Sequence, residues 1–197
     1  MNCKPRCKVS ILILTHNRPE LFNRCIHSVL EDKPDWAEVI VNNDGCPIHS
    51  FVGVDYYNEV NEDLSLTYKF LFDKAQGEYI YYLEDDDFVT EQFWQIVEED
   101  IKINKNILYR YLPENDIKKY IEYFVKEPNL KEHFQIGQML FKKADLKEFP
   151  KGNCLDNDWK MYTQMKFINS SVCIFTQTTD GKDNISFPQH NKDERFI

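Results

Sequence analysis

The run Gly77-Glu78-Tyr79-Ile80-Tyr81-Tyr82-Leu83-Glu84-Asp85-Asp86-Asp87-Phe88 constrains this chain more than any other segment. Its first half is apolar or aromatic at successive positions. Strand residues alternate between the two faces of a sheet, so both faces of this strand need cover, as in a central strand of an open α/β sheet. The run then stops in four consecutive carboxylates. Neighbouring like charges raise one another's pKa, which is costly unless a cation or several donors compensate them. A divalent ion is the compensator these residue types favour. Mg²⁺ and Mn²⁺ take hard oxygen ligands, and Mg²⁺ is usually held at about 2.1 Å by one or two carboxylates with substrate phosphates completing the octahedron. Acids at the end of a buried strand emerge at the rim where open α/β sheets bind ligands. The bland alternative is a solvated acidic turn, and the buried strand in front of it counts against that.

The rest of the chain alternates strands and helices. Val9 to Leu14 is apolar on both faces, as a central parallel strand requires, and ends in Thr15-His16-Asn17-Arg18-Pro19. Asn17 is read as a helix cap before Pro19, and Leu21, Phe22, Cys25, Ile26, Val29 and Leu30 have helical spacing over Glu20 to Leu30. Glu38 to Val41 is a second strand closing in Asn42-Asn43-Asp44-Gly45, a polar and glycine turn signature. Residues 51–66 read as irregular, and 66–72 as another strand or a short element. Thr90 to Ile103 and Asn115 to Val125 read as helices, Phe134 to Phe141 as a strand, Asp156 to Met165 as a helix and Ser171 to Thr176 as a last strand.

A length of 197 residues suits one compact domain with one sizeable core. Acids outnumber bases 33 to 24 for a formal charge of -9, which disfavours nonspecific attraction to nucleic-acid phosphates. The basic start is followed by an apolar run of only Val9 to Leu14, too short for a signal-peptide core or a membrane span, so the expected address is cytoplasmic. The six cysteines, Cys3, Cys7, Cys25, Cys46, Cys154 and Cys173, are scattered and read as free thiols; Cys3 and Cys7 lack the second pair that a zinc site needs.

The ordered series Val9 to Pro19, Val39-Ile40-Val41-Asn42-Asn43-Asp44-Gly45, Ala75 to Ile80 and Leu83 to Asp87 resembles family 2 glycosyltransferases of the GT-A fold. The likeness covers the first half strongly. It continues weakly through Ile136-Gly137-Gln138-Met139-Leu140-Phe141 and Asp156-Asn157-Asp158-Trp159. It implies a single Rossmann-like α/β domain with a central, mostly parallel sheet flanked by helices. Residues up to about 100 would bind the donor and 101–197 the acceptor. It also implies a nucleotide-diphosphate sugar donor, UDP-sugar being favoured, a Mn²⁺ or Mg²⁺ ion held by a DxD-type motif, and inverting transfer to a hydroxyl.

Carried over residue by residue, Thr15, Asn17 and Arg18 match the element that contacts base and ribose, and Asn43 and Asp44 the second base-binding element. Asn43 replaces the usual first Asp; it keeps an acceptor oxygen but adds a donor and loses the charge. Glu84, Asp85 and Asp86 fit the DxD positions with Glu in the first, and Asp87 is the extra acid. Asp86 is the preferred metal ligand, with Asp85 or Asp87 the alternatives, because a one-residue shift exchanges which side chains face the cleft. The family's Ala-Arg-Asn segment is not found; Tyr68 to Lys74 occupies its region, and Lys69 or Lys74 is the candidate for phosphate charge. Asp158 is the candidate general base beside a sugar-stacking Trp159, with Asp156 the alternative base; against both stands the reading that Asp156 or Asn157 merely caps a helix. His190 is a candidate for the metal or diphosphate, or else a polar tail residue.

Two readings from other classes remain. A nucleotidyltransferase would show a glycine-rich phosphate loop, which six scattered glycines do not form. A catalytically inactive nucleotide-sugar-binding module is supported by Asn43 and the missing segment. The acceptor is a glycan, a small molecule or, against the acidic charge, a modified DNA base, and a partner or oligomer would complete its site.

Overall fold

The computed structural model describes residues 7–45, 50–60, 64–113, 136–150, 161 and 163–177. Its frame is an eight-stranded sheet. In chain order the strands are β1 (Val9–Thr15), β2 (Ala37–Asn43), β3 (Val54–Tyr57), β4 (Tyr79–Glu84), β5 (Phe88–Val89), β6 (Asn106–Pro113), β7 (Met139–Lys142) and β8 (Phe167–Gln177). Helices α1 (Pro19–Leu30), α2 (Leu64–Lys74) and α3 (Phe93–Ile103) lie between them. The strand order is β3-β2-β1-β4-β7-β6-β8-β5. Pairings β3-β2, β2-β1, β1-β4 and β6-β8 are parallel, while β4-β7, β7-β6 and β8-β5 are antiparallel.

The alternation of β1 and β4 divides the core into two layers. Val9, Ile11 and Ile13 with Tyr79, Tyr81 and Leu83 meet Phe22, Cys25, Ile26 and Val29 of α1 and Phe93, Trp94 and Val97 of α3. Leu12, Ile80 and Tyr82 on the other face meet Leu71 and Ala75, together with Met139, Phe141, Met161 and Met165. Each fully buried large apolar side chain contributes roughly 1.5–3 kcal/mol, so both faces of the two strands hold the fold. The Trp94 Nε1–H in the first layer donates to the Val29 carbonyl at 2.9 Å, whereas the Tyr81 hydroxyl is buried there without a hydrogen-bond partner among the described residues.

The chain runs β1, β2, β3 outward in one direction and then crosses back to place β4 on the other side of β1. The loops leaving β1 and β4 therefore diverge, and the crevice between them is the usual ligand position of an open α/β sheet. Only residues 85–87 separate β4 from β5, yet the two strands stand fourth and eighth in the order. Three residues reach little more than a dozen ångströms, so the sheet curls until its far edge returns to the carboxyl end of β4. Phe88 and Val89 there pair with Thr176 and Phe175 of β8.

Several expectations change. Residues 66–72, read as a strand or short element, lie within α2, whose buried Thr67 and Leu71 stand one helical turn apart. The aromatic and β-branched content of that segment imitates a strand, but tertiary packing on β1 and β2 decides. The stretch read as irregular contains β3, and β5 and β6 are additional strands. Of the predicted strand Phe134 to Phe141, Ile136–Gln138 is a 3-10 turn and pairing runs from Met139 on, in β7, while residues 134 and 135 lie outside the described residues. Asn17 does not cap α1. Arg18 is the N-cap residue, without a side-chain cap bond, and Asn17 takes the left-handed backbone at φ 53°. Cys7, Cys25 and Cys173 are free thiols, and the other three cysteines lie outside the described residues. So do the predicted helix at Asn115 to Val125 and residues 156–160 and 162 of the one expected at Asp156 to Met165.

Candidate active site

The carboxyl ends of β1, β2 and β4 bring the first-half candidates together. The β1 and β2 loops interlock: the Asp44 N–H donates to the Thr15 carbonyl at 3.2 Å, and the Gly45 N–H to Asn43 Oδ1 at 3.1 Å. His16 Nδ1 lies 2.7 Å from Asp44 Oδ1, and Asn17 Nδ2 lies 2.9 Å from His16 Nε2. An amide N–H given to Nε2 leaves Nδ1 as the proton-bearing nitrogen that donates to Asp44. His16, which the sequence placed in this loop without a role, fixes the carboxylate of Asp44.

The acid turn leaving β4 is gripped from α1. Arg24 Nη2 donates to the Asp86 carbonyl at 3.2 Å, and its guanidinium stacks on Phe88 with 4.4 Å to the ring centroid. The Cys25 thiol lies 3.5 Å from the Glu84 carbonyl, and the Val89 N–H donates to Ser28 Oγ at 3.1 Å. Residues 24, 25 and 28 share one face of a helix, which is why three side chains of α1 reach consecutive parts of the turn. Burial, and then the neighbouring acids, push the Cys25 thiol up, so it stays protonated. Arg24 escaped the sequence reading; its position one helical turn before Ser28 and beside the buried Cys25 was the available signal.

The four acids have different surroundings. Ligand oxygens of Glu84, Asp86 and Asp87 lie within 4.8 Å of one another, and this trio of hard donors fits a divalent cation such as Mg²⁺ or Mn²⁺. Asp85 stands apart from the trio. Its carboxylate is 1% exposed and pairs with Arg18, Nη2 to Oδ1 at 2.8 Å, while Arg18 Nη1 reaches Asp86 Oδ2 at 3.1 Å. Burial pushes Asp85 up to about 7; Arg18 pulls it down, Asp86 pushes it up, and Thr15 and the His16 backbone are close enough to lower it slightly. Asp86 is also raised by burial, against Arg18. Burial opposes the charge of Arg18, but Asp85, Asp86 and Glu84 outweigh it and keep the guanidinium protonated.

The curl of the sheet adds Tyr111 and Phe175 to the surroundings of the turn. Their rings lie 5.8 Å apart, and the Tyr111 hydroxyl is raised by burial and by Asp87. No local sequence signal marks Tyr111, since only the return of β6 and β8 places it there. The contacts of Lys69 and Lys74 on α2 are elsewhere: Lys69 Nζ pairs with Asp73, and Lys74 Nζ lies 5.1 Å from the Tyr57 and Phe70 ring centroids. Asp156, Asp158 and His190 lie outside the described residues.

This crevice, with acids and a guanidinium at the β1–β4 switch point, coincides with a family match. The profile of Glycosyl transferase family 2 matches residues 10–145, more than half of the chain. The chain belongs to glycosyl transferase family 2. Among solved structures it is similar to S. aureus TarS 1–349 at 15% identity and a TM-score of 0.71, covering 87% of this chain and 60% of that one. It is also similar to TarS 1–349 in complex with UDP, at 16% identity, a TM-score of 0.70 and coverage of 87% and 60%. For TarS 1–349 in complex with UDP-GlcNAc the values are 15% identity, 0.66, and 87% and 58%. These likenesses establish a GT-A fold, and the chain spans about three fifths of the TarS fragments it matches. No curated protein matches it. No helix among the described residues is long and apolar enough to cross a membrane.

Proposed function

We propose that this family 2 chain is a metal-dependent glycosyltransferase that moves a sugar from a nucleotide-diphosphate donor to a hydroxyl acceptor. The observation that carries the reading is the trio Glu84, Asp86 and Asp87, gathered at the β1–β4 switch point beside Arg18. A Mn²⁺ or Mg²⁺ ion held by the trio would neutralise charge on the leaving diphosphate. Thr15, Asn17, Asn43 and Asp44 hold base and ribose, while Arg18, which the resemblance puts with them, pairs with Asp85 and Asp86; UDP-sugar is the favoured donor, since solved TarS complexes contain UDP and UDP-GlcNAc. Lys74 remains the candidate for additional phosphate charge.

Asp158 takes the proton of the acceptor hydroxyl, with Asp156 as the alternative. The freed oxygen attacks the anomeric carbon opposite the diphosphate and inverts it. His190 joins the metal or diphosphate. Residues up to about 100 form the donor half and 101–197 the acceptor half of one domain, working in the cytoplasm. The acceptor is a glycan or a small molecule, with a modified DNA base disfavoured by the formal charge of -9.

The test is calorimetric titration with UDP, GDP, CDP and ADP, each with Mn²⁺ and with EDTA, repeated on Asp86→Ala. Metal-dependent binding of one nucleotide, lost in the variant, supports the reading; binding of none sinks it. For the base, Asp158→Asn should abolish transfer at an unchanged melting temperature, and full activity removes Asp158 from the mechanism.

A further inference from the structure

Asp85 is the acid that the metal trio leaves out. It sits in the middle of the cluster in sequence, yet its carboxylate is buried against Arg18 on the side of the β1 loop. A buried carboxylate is costly to keep unless a partner compensates it, and the compensating partner here is the guanidinium. Arg18 ends a loop and opens α1 without a side-chain cap bond, so helix geometry does not orient its side chain. The fork across Asp85 and Asp86 does. Two carboxylates at fixed separation select one guanidinium orientation more narrowly than one carboxylate does. The outcome is a permanent positive charge in contact with one acid of the trio, present whether or not an ion is bound.

We propose that Asp85 is a positioning residue: its buried carboxylate fixes Arg18 across Asp86, so that the guanidinium is a metal-independent cation for the diphosphate of the donor. This rests on the donor reading above. It gives Asp85 a role distinct from that of Glu84, Asp86 and Asp87, and it divides the binding of the diphosphate between one fixed charge and one exchangeable ion.

The experiment is calorimetry in EDTA with whichever of UDP, GDP, CDP and ADP the wild-type chain binds, alongside the matching nucleoside. Wild type should retain weak diphosphate binding without metal. Arg18→Gln and Asp85→Asn should each lower diphosphate affinity by about tenfold, the loss of one charge-assisted hydrogen bond, and leave nucleoside affinity unchanged. Because the two residues act through one guanidinium, the double variant should bind no worse than Arg18→Gln. Arg18→Lys is the second variant; an ammonium keeps the charge but cannot bridge both carboxylates, so it should fall toward Arg18→Gln. Asp85→Asn binding like wild type, a parallel loss of nucleoside affinity, additive losses, wild-type affinity in Arg18→Lys, or binding only with Mn²⁺ would each overturn the proposal while leaving the donor reading standing. Binding of no diphosphate with or without Mn²⁺ removes both.

Discussion

Replacing Gly45 by alanine is expected to damage nucleotide binding more than stability. A Cβ at Gly45 would stand 2.5 Å from Asn17 Oδ1 and 2.6 Å from Asn17 N, and ordinary contact begins at 3.4 Å. Asn17 must recede by about 0.9 Å, and because its backbone nitrogen is one of the atoms struck, no rotamer change relieves the clash. Overpacking of this kind costs about 1–3 kcal/mol, partly offset by about 0.4–1 kcal/mol from the stiffer unfolded chain. A net loss of about 0.5–2 kcal/mol lowers the melting temperature by roughly 1–8 °C in a domain of this size. Asn17 also carries the amide bonded to His16, so the displacement reaches the His16–Asp44 pair and should weaken nucleotide binding at least about tenfold. Gly77→Ala is the control. Its Cβ would meet Ser10 N at 2.5 Å, Ser10 Oγ at 2.6 Å and the Val9 carbonyl carbon at 2.7 Å, at the opposite end of the central strands. It should melt lower than Gly45→Ala and bind nucleotide normally while folded. Circular-dichroism melting and calorimetry read the two effects separately. Wild-type binding in Gly45→Ala, or equal binding losses in both variants, would refute the reasoning.

Tyr81 Oη is buried with no hydrogen-bond partner among the described residues, so Tyr81→Phe should melt at or above wild type; a loss beyond about 1 kcal/mol in urea unfolding contradicts this. The Asn42 side chain donates to the Glu59 carbonyl at 2.9 Å and accepts from the Glu59 N–H at 3.0 Å, so Asn42→Ala should cost about 1–3 kcal/mol, and an unchanged urea midpoint would refute that. Saturating Mn²⁺ should raise the melting temperature, by the equivalent of about 2.7 kcal/mol at a hundredfold excess over the dissociation constant, and Asp86→Ala should abolish the rise. Asp85, raised from 3.8 to about 7, contributes stability that is complete below pH 3.8 and lost as pH climbs through 7. In EDTA, Asp85→Asn should therefore gain on wild type between pH 4 and 8, by an amount bounded at about 4 kcal/mol; a constant difference overturns the assignment.

Legibility followed the range of the interactions. Val9 to Leu14 and Tyr79 to Leu83 were readable because strands covered on both faces must be apolar at every position, a purely local signature. Helix α1 was readable from its 3.6-residue period. Helix α2 was not, because Tyr68, Phe70 and Phe72 carry strand-like side chains, and only their packing against Tyr82, Tyr57 and Phe149 shows the helix. Strands β5 and β6 were missed for a related reason: two residues of β5 carry no period, and their pairing with β8 lies far along the chain. At the site, the sequence named Arg18 and all four acids but could not say which acid faces which cation.

By itself the sequence determined the sheet core, the loops that end β1, β2 and β4, and the presence of more negative charge after β4 than an unpaired turn tolerates. These follow from side-chain period and from charge at neighbouring positions, which the order of residues specifies directly. The tertiary structure alone decided the division of labour within the cluster. Arg18 lies 68 residues before Asp86 and Arg24 62 residues before it, and α1 has to pack on the sheet before either guanidinium meets the turn. That packing buries Asp85 against Arg18 and leaves Glu84, Asp86 and Asp87 together, a distinction four adjacent letters do not contain, because side-chain direction and burial are set by what folds against them.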